Sequence, residues 1–335
     1  MNKAFIQGTP SLFCISSPLQ LLCTINAITE YGIKEYDIVY ICSSSDKRKE
    51  QVLFMLAFYN LKFVLFEYTS LNILNLIKGG DVANLNLCTK YKRIFIGDPY
   101  SENIKAIAYD FAEFGAKVIS VDDGNSTIDA LLNRKLYKLS KKMLLHKVLN
   151  LKYLLKGIVL DKYYYTVYAD SLDTKKKVYK NNLSYITSNY NVTAPDSSVF
   201  FIGTIGNVFS AAINIPLSLY YEKLSNALKR LCDENPASNF YYIAHGRDND
   251  MLTRKVVEEA GFVYMKLDEA VECYLLKHEI YPKQVAGFTS SALFNLKLLY
   301  KNTEIFNYVI DEMSSEEYEN VSKIYLKNGV KKVIL

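Results

Sequence analysis

The sequence is poor in the features that mark secreted, metal-binding and membrane-spanning proteins. It has three histidines, six cysteines and no tryptophan among its 335 residues. The cysteines form no C-x-x-C motif and no spacing typical of metal ligands, so we expect small buried side chains in a reducing compartment. Residues 1–10 lack the layout of a signal peptide, and the apolar segment 12–28 is too short and too polar to span a bilayer. We therefore expect a cytoplasmic protein.

The net charge is also small. The sequence has 40 Lys and Arg against 35 Asp and Glu, a net charge of +5. This balance permits an anionic ligand or a peripheral contact with the inner face of the plasma membrane. It does not indicate nucleic-acid binding, because the basic residues are dispersed and no nucleic-acid-binding module is recognisable. Half of the residues are hydrophobic, which argues against disorder, and the length suits about two domains of roughly 150 residues.

The first half of the chain alternates short apolar runs with helical segments. Strands are predicted at 12–15, 38–42, 62–66, 93–96 and 117–121. Ser17 is placed to cap a helix that begins at Pro18, with Gln20 at the capping-box position and Gly32 at its end. A further helix is predicted over 49–59. This alternation predicts a parallel, Rossmann-like sheet.

The composition changes between residues 131 and 198 and then returns to the α/β pattern. A Lys-, Leu- and Tyr-rich helix is predicted over 136–155, followed by surface and linker segments at 175–177 and 181–198. Strands then follow at 199–202, 240–244, 262–265, 284–287 and 304–310. Helices are predicted at 251–260 and after 291 to about 299. Ser314 and Glu317 form a capping box for a last helix that Gly329 ends. We therefore predict two Rossmann-like α/β domains facing a cleft, at 1–190 and 191–335.

The first polar cluster is Asp122-Asp123-Gly124, directly after the predicted strand 117–121. Open α/β sheets place their chemistry at the carboxyl ends of strands, where one carboxylate can take a proton from an attacking hydroxyl. A turn built from Asp and Gly for backbone geometry is the alternative. Because successive residues leaving a strand face opposite ways, only one acid is expected to reach a ligand, and we favour Asp123.

Two further clusters stand at strand ends in the second half. His245, with Gly246 and Arg247, follows the strand 240–244, where a protonated histidine and an arginine can stabilise a phosphate; a capping turn with an exposed histidine is the alternative. Ser290 and Ser291 offer hydroxyls and backbone N–H groups at a helix start, which suits an anion, although ordinary capping explains one serine.

Three weaker patterns complete the candidates. Gly203 and Thr204 open a G-x-x-G loop after a strand, where the backbone can approach a ligand. Asp248-Asn249-Asp250 matches the D-x-D pattern that holds a metal and a nucleotide diphosphate, but Asp250 is placed to cap the next helix. The lysine-rich helix over 136–155 suits either an anionic surface or a solvated face.

The order of an Asp-Asp-Gly, a His-Gly and a Ser-Ser after successive strands resembles that in the bacterial sialyltransferases. Those families carry a D/E-D/E-G motif, an H-P motif and an S-S or S-T motif in this order. The segment Ser17-Pro18-Leu19-Gln20 is similar to the T-P-L-Q opening of glycosyltransferase family 52, and the capsular polysialyltransferases are also similar. The sequence departs from the pattern at Gly246, where the family has proline.

The resemblance implies the glycosyltransferase B architecture and inverting transfer of sialic acid from CMP-sialic acid to a hydroxyl of lipooligosaccharide or capsule. Asp123 or Asp122 would be the base, and His245 would stabilise the departing phosphate. The residues implied to hold the nucleotide and its phosphate are Ser290, Ser291, Gly203, Thr204, Gly246 and Arg247. No metal or other cofactor is implied. A family 52-like transferase for another sugar nucleotide and a non-catalytic capsule-assembly protein are the alternatives.

Overall fold

The computed structural model describes residues 9–46, 48–68, 85, 87, 90–132, 141–160, 162–185, 195–248, 251–312 and 315–335. Contacts divide the chain into two units, Met1–Tyr185 and Ile186–Leu335. The predicted boundary between residues 190 and 191 lies outside the described residues. Each unit is built on its own parallel sheet with helices, which confirms the predicted α/β class.

The first unit contains a seven-stranded parallel sheet in the order β3-β2-β1-β4-β5-β6-β7. Its strands are β1 (Ser11–Ile15), β2 (Tyr36–Ser43), β3 (Val64–Tyr68), β4 (Tyr91–Ile96), β5 (Ala112–Val121), β6 (Tyr163–Thr166) and β7 (Lys177–Lys180). The described helices are α1 (Pro18–Tyr31), α2 (Lys49–Phe58), α3 (Glu102–Phe111), α4 (Asn125–Leu131) and α5 (Lys141–Leu155). Every residue of the interior strand β1 is buried, as expected for a parallel strand with a strand on each side and helices on the faces.

The second unit contains a six-stranded parallel sheet in the order β10-β9-β8-β11-β12-β13. Its strands are β8 (Ser198–Ile202), β9 (Asn239–Ile243), β10 (Val263–Met265), β11 (Gln284–Gly287), β12 (Glu304–Val309) and β13 (Lys331–Ile334). Its described helices are α6 (Gly206–Ala212), α7 (Leu217–Glu234), α8 (Met251–Glu259), α9 (Val271–Lys277), α10 (Ser291–Leu299) and α11 (Glu316–Lys327). Both sheets place their first strand in the interior, and the strand order reverses beside it, as in doubly wound nucleotide-binding folds.

The predicted start and end of α1 are confirmed. The Ser17 Oγ accepts a hydrogen bond from the Gln20 backbone N–H at 3.3 Å, and Gly32 ends the helix in the left-handed conformation. The capping box closes differently from the prediction, because the Gln20 side chain accepts from the backbone N–H of Ser16 at 2.7 Å. At the last helix the N-cap is Ser315, whereas the predicted cap Ser314 lies outside the described residues.

The prediction of a surface and linker segment at 175–177 was wrong in part. Lys177 begins β7, which pairs with β6, and β6 itself lies in the Tyr-rich stretch for which no strand was predicted. β7 was missed because it is an edge strand with a lysine at each end, and edge strands commonly carry charge. β6 was missed because its three tyrosines do not form an aliphatic run. In the described part of the chain, no helix has the length and hydropathy needed to cross a membrane.

Candidate active site

The polar clusters of the first unit meet at the point where its sheet changes direction. The chain runs from β1 outward to β3 and then returns to β4 on the other side of β1. Ligands of doubly wound folds bind at the carboxyl ends of the strands flanking such a point. Gln20 in the first turns of α1, Asp98 after β4 and Asp123 after β5 all lie at this edge. We call these three residues the strand-end cluster.

The carboxylate of Asp123 is half-buried and held by side chains on both oxygens. The Gln20 Nε2 donates to Oδ1 at 2.6 Å. The Ser126 hydroxyl shares its single proton between the Asp123 backbone oxygen at 2.6 Å and Oδ2 at 3.2 Å. The backbone N–H of Asp123 donates to the Thr127 Oγ1 at 2.8 Å. The turn depends on Gly124, whose φ of 67° lies in the left-handed region.

Gln20 is buried, and its amide orientation is fixed by its other contacts. Its Oε1 accepts from the Ser16 backbone N–H at 2.7 Å and from the Ser16 hydroxyl at 3.2 Å, so its Nε2 must face Asp123. Space for this carboxamide exists because residue 97 is glycine, and a Cβ there would overlap the Gln20 side chain. Sequence reasoning assigned Gln20 only to a helix cap and missed its contact with Asp123.

The strand-end cluster contains a second carboxyl group, that of Asp98, and a cation, Arg48, lies near it. Burial, and then the negative charge of Asp123, raise the pKa of Asp98 to about 6. The Arg48 guanidinium donates to both Asp46 oxygens at 3.2 and 3.0 Å. Burial lowers the pKa of Arg48, but the Asp46 hydrogen bond and the charges of Asp46 and Asp123 outweigh it and raise that pKa. Asp98 could have been proposed from its position after β4.

Asp122 faces the interior, opposite to its neighbour. Its Oδ2 accepts from the Val167 backbone N–H at 2.9 Å, and its Oδ1 accepts from the Thr166 hydroxyl. The Cys23 thiol lies 3.9 Å from Oδ2. Burial raises the pKa of Asp122 to about 7 against the lowering effect of these hydrogen bonds. The side chain therefore ties the end of β5 to the end of β6.

The predicted residues of the second unit lie at the equivalent edge of its sheet. Its change of direction falls between β8 and β11. The loops after these strands contain Gly203, Thr204 and Ser290, and Ser291 begins α10. His245 follows β9, which pairs with β8. Parallel pairing brings these strand ends side by side, so one edge of the sheet holds all the predicted phosphate-binding residues.

His245 is half-buried, with Gly246 half-buried and Arg247 exposed beside it. The backbone N–H of Arg247 donates to the His245 Nδ1 at 3.2 Å. An Nδ1 that accepts a hydrogen bond leaves the proton of a neutral imidazole on Nε2. The turn therefore fixes a histidine with a donor on its outer nitrogen.

Gly203 and Thr204 have structural partners of their own. A Cβ at position 203 would overlap the buried Tyr242 hydroxyl, so close packing already requires glycine there. The Thr204 Oγ1 lies 3.3 Å from the Tyr220 hydroxyl. Packing thus accounts for both residues without a ligand.

The Ser290-Ser291 pair is presented by a strained turn. Thr289 has a φ of 45°, which is uncommon for a β-branched residue. Its backbone N–H and its hydroxyl both donate to the Asn307 Oδ1, at 2.7 and 3.1 Å. Ser290 is the N-cap residue of α10, yet its hydroxyl makes no capping hydrogen bond, so the alternative of ordinary serine capping does not apply. Thr289 and Asn307 were not predicted, because a side chain from the neighbouring strand β12 holds the turn.

The D-x-D pattern cannot be placed, since Asn249 and Asp250 lie outside the described residues. Among the residues that are described, no group of three or more His, Cys, Asp and Glu side chains is arranged to hold a metal ion. The expectation of a metal-independent reaction stays a prediction.

Comparisons with known proteins reach only the level of the fold. No family model matches the chain, and no curated protein matches it significantly. An α/β-galactoside α-2,3-sialyltransferase from the luminous marine bacterium Photobacterium phosphoreum matches with a TM-score of 0.54 and 17% identity, over 97% of this chain and 99% of that one.

Two other solved structures match comparably well. A 2,6-sialyltransferase from a Photobacterium species of the Vibrionaceae, in a ternary complex with CMP and lactose, gives a TM-score of 0.52 and 14% identity over 97% of this chain and 78% of that one. MnaA of S. aureus, solved with UDP, gives a TM-score of 0.54 and 10% identity over 97% of this chain and 92% of that one. With its two doubly wound sheets, the chain has the glycosyltransferase B fold.

Proposed function

We propose that the protein is an inverting glycosyltransferase that moves sialic acid from CMP-sialic acid to a hydroxyl of a surface glycan, in lipooligosaccharide or capsule. The observation that carries the proposal is the different surroundings of two adjacent acids. Asp122 is buried and accepts hydrogen bonds from Thr166 and Val167 on its two carboxylate oxygens. Asp123 is half-buried at the carboxyl-end edge of its sheet, and Gln20 donates a hydrogen bond that orients it. The strand-end motifs and the shared fold with two sialyltransferases support the donor assignment.

In this proposal Asp123 is the general base. Its carboxylate takes the proton of the acceptor hydroxyl, while that oxygen forms a bond to the anomeric carbon of the sugar. The bond between the anomeric carbon and the phosphate oxygen breaks, and CMP leaves with the bonding electron pair. Hydrogen bonds from Gln20 and Ser126 hold the carboxylate in place, which favours proton transfer because a positioned base loses no freedom in the transition state.

The departing phosphate is assigned to the edge of the second sheet. The Nε2 N–H of His245 donates to the phosphate oxygen on which negative charge develops, where such a donor is most effective. The Ser290 hydroxyl and the start of α10, which is nine residues long, add further donors. A sugar monophosphate carries less charge than a diphosphate, so the proposed reaction needs no metal.

A related transferase for a uridine nucleotide sugar is the second candidate. Two observations favour it: MnaA, which is equally similar in fold, was solved with UDP, and Gly246 stands where the sialyltransferase motif has proline. A non-catalytic capsule-assembly protein is the alternative outside enzymes.

The test measures nucleotide release and sugar transfer by the purified protein with CMP-sialic acid and, separately, with UDP-hexoses. We expect CMP release that depends on an acceptor, and a loss of about 100-fold or more in Asp123→Asn and His245→Ala. The matched variant Asp122→Asn retains most of the activity, because an asparagine can satisfy both Val167 and Thr166. Turnover of UDP-sugars alone would establish the second candidate, and full binding without turnover of any donor would establish the third.

A further inference from the structure

The outward side of α5 is apolar, although a helix at a protein surface normally turns polar side chains outward. Leu151 and Leu155 are 58% and 74% exposed. Phe114 in β5, whose neighbour Gly115 is hydrogen-bonded to the chain just after α5, is 80% exposed. We call the exposed apolar side chains of this region the apolar face, and its members are Phe114, Val148, Leu151, Leu154, Leu155 and Val159.

The opposite side of α5 already supplies the contacts that the fold needs. Leu149 and Tyr153 are buried, and the Tyr153 hydroxyl donates to the Lys105 backbone oxygen at 2.6 Å. Residues 148, 151 and 155 follow a spacing of three and four, which places them on one side of a helix, away from 149 and 153. Helix α5 therefore has apolar side chains on two opposite sides, and only one of these sides is buried.

Phe114 extends the apolar face beyond the end of the helix. The backbone N–H of Gly115, which has a φ of 70°, donates to the Lys156 oxygen at 2.7 Å and fastens the two segments together. A Cβ at Gly157 would lie 3.3 Å from the Phe114 Cζ, so the ring rests against this glycine. The exposed phenyl ring thus lies beside the backbone that directly follows α5.

The charged residues of α5 and the five residues that follow it have one sign. Residues 141–160 include five lysines and no aspartate or glutamate. Lys147 is exposed next to Val148, and Lys152 is half-buried. Lys156 is occupied, since its Nζ donates to the Tyr109 and Ala112 oxygens at 2.7 and 3.1 Å. The acid nearest in sequence to Phe114, Glu113, lies 4.0 Å from Lys92.

We propose that the apolar face docks on an anionic lipid membrane. Leu151, Leu155 and Phe114 would enter the boundary between headgroups and acyl chains, and Lys147 would meet the lipid phosphates. Interfacial helices combine an apolar side with lysines in this way, and their binding depends on both buried area and charge. A run of lysines without acids favours lipid phosphates over a second copy of the chain, which would bring like charges together.

The test is co-sedimentation of the full chain with vesicles of phosphatidylcholine alone and of phosphatidylcholine mixed with phosphatidylglycerol. We expect binding to the mixed vesicles that weakens as salt is added. Leu151→Asp combined with Leu155→Asp should lower the partition coefficient by about 10-fold or more, and Lys147→Ala by about 5-fold. Met251→Asp is the matched control, because Met251 is 85% exposed in the second unit and should not alter binding.

Thermal melting checks that the variants fold, and Phe114→Ser provides a second test of the same face. Equal binding of wild type and both apolar variants would overturn the proposal, as would equal binding to neutral and anionic vesicles. A wild-type dimer that the double variant dissociates, without vesicle binding, would assign the face to self-association and also overturn it. Vesicle binding needs neither donor nor acceptor, so its failure leaves the proposed function unaffected.

Discussion

At the scale of single residues, the two adjacent acids show how environment separates identical side chains. Asp122 lies against Thr166 and the Val167 backbone, away from water, and burial raises its pKa to about 7. Asp123 is half-buried and is held by hydrogen-bond donors from Gln20 and Ser126. Successive side chains along an extended chain point to opposite sides, so the two carboxylates face different surroundings. The neighbouring strand β6 decides which of the two is buried.

Asp122 should make the stability of the protein fall as the pH rises. The folded-state pKa of about 7 lies above the ordinary value of 3.8, so the unfolded chain releases this proton first and ionisation disfavours the folded state. Asp122→Asn mimics the neutral carboxyl and removes the effect. Denaturant unfolding of both proteins between pH 4 and pH 8 should show the wild type losing up to about 4 kcal/mol relative to the variant. Parallel curves would contradict the burial argument.

Gln20 should act as a positioning residue for Asp123. Gln20→Met keeps the volume but removes the Nε2 donor, and we expect kcat to fall by roughly 10-fold with an unchanged donor KM. Gln20→Glu keeps an acceptor for the Ser16 N–H but places a second carboxylate against Asp123. We expect its kcat to fall by roughly 100-fold. Steady-state kinetics with melting curves would check this. Equal kcat in all three proteins would show that the contact only supports the fold.

At the scale of elements, parallel strands gather residues that are far apart in the sequence. In the second unit, β9, β8 and β11 end side by side, and they deliver His245, Thr204 and Ser290 to one edge. The turn before α10 is strained at Thr289 and held by Asn307 from β12. Strain that is maintained by side-chain hydrogen bonds commonly accompanies a functional turn.

Ser290→Ala should separate a binding serine from a capping serine. Because the Ser290 hydroxyl makes no capping bond, its loss should lower the free energy of unfolding by less than about 0.5 kcal/mol. The donor KM should rise by about 10-fold, since a hydrogen bond to a charged phosphate is lost. Ser101→Ala is the matched control, because the Ser101 hydroxyl accepts from Ile104 N–H at 3.4 Å, and it should cost about 1 kcal/mol. A stability loss in Ser290→Ala as large as in the control, with an unchanged KM, would refute the assignment.

At the scale of the whole molecule, each unit has its own sheet and hydrophobic core. The proposed base lies in the first unit, and the proposed phosphate-binding residues lie in the second. Donor binding and proton abstraction should therefore respond to different substitutions. A ligand that binds only the folded state stabilises it in proportion to its occupancy.

CMP should raise the thermal midpoint of the full chain through the second unit. At a hundredfold excess over Kd, the expected stabilisation is about 2.7 kcal/mol. Asp123→Asn should keep this response, whereas His245→Ala and Ser290→Ala should weaken it. Differential scanning fluorimetry with CMP and with UDP would measure it. A response to UDP alone would favour the uridine nucleotide donor, and a response lost in Asp123→Asn would contradict the assignment of CMP to the second unit.

Much of the fold could be predicted from the sequence, because buried parallel strands are continuous apolar runs and the helix ends carry their own signals. The predicted strand at 284–287 matches β11, and Ser17 and Gly32 bound α1 as expected. Strands β6 and β7 could not be predicted, since tyrosines and lysines at a sheet edge lack that pattern. Gln20 and Asn307 were missed for another reason: their partners lie 103 and 18 residues away.

The sequence by itself determined the two α/β units, the order of the strand-end motifs and the surplus of lysine near α5. These features are local, because they depend on the spacing of apolar residues and on turn residues beside them. Only the tertiary structure decided that Asp122 is buried, that Asp123 is held by Gln20 across Gly97, and that the outward side of α5 is apolar. Which side of a strand or helix meets water depends on the neighbour packed against it, and that neighbour comes from elsewhere in the chain.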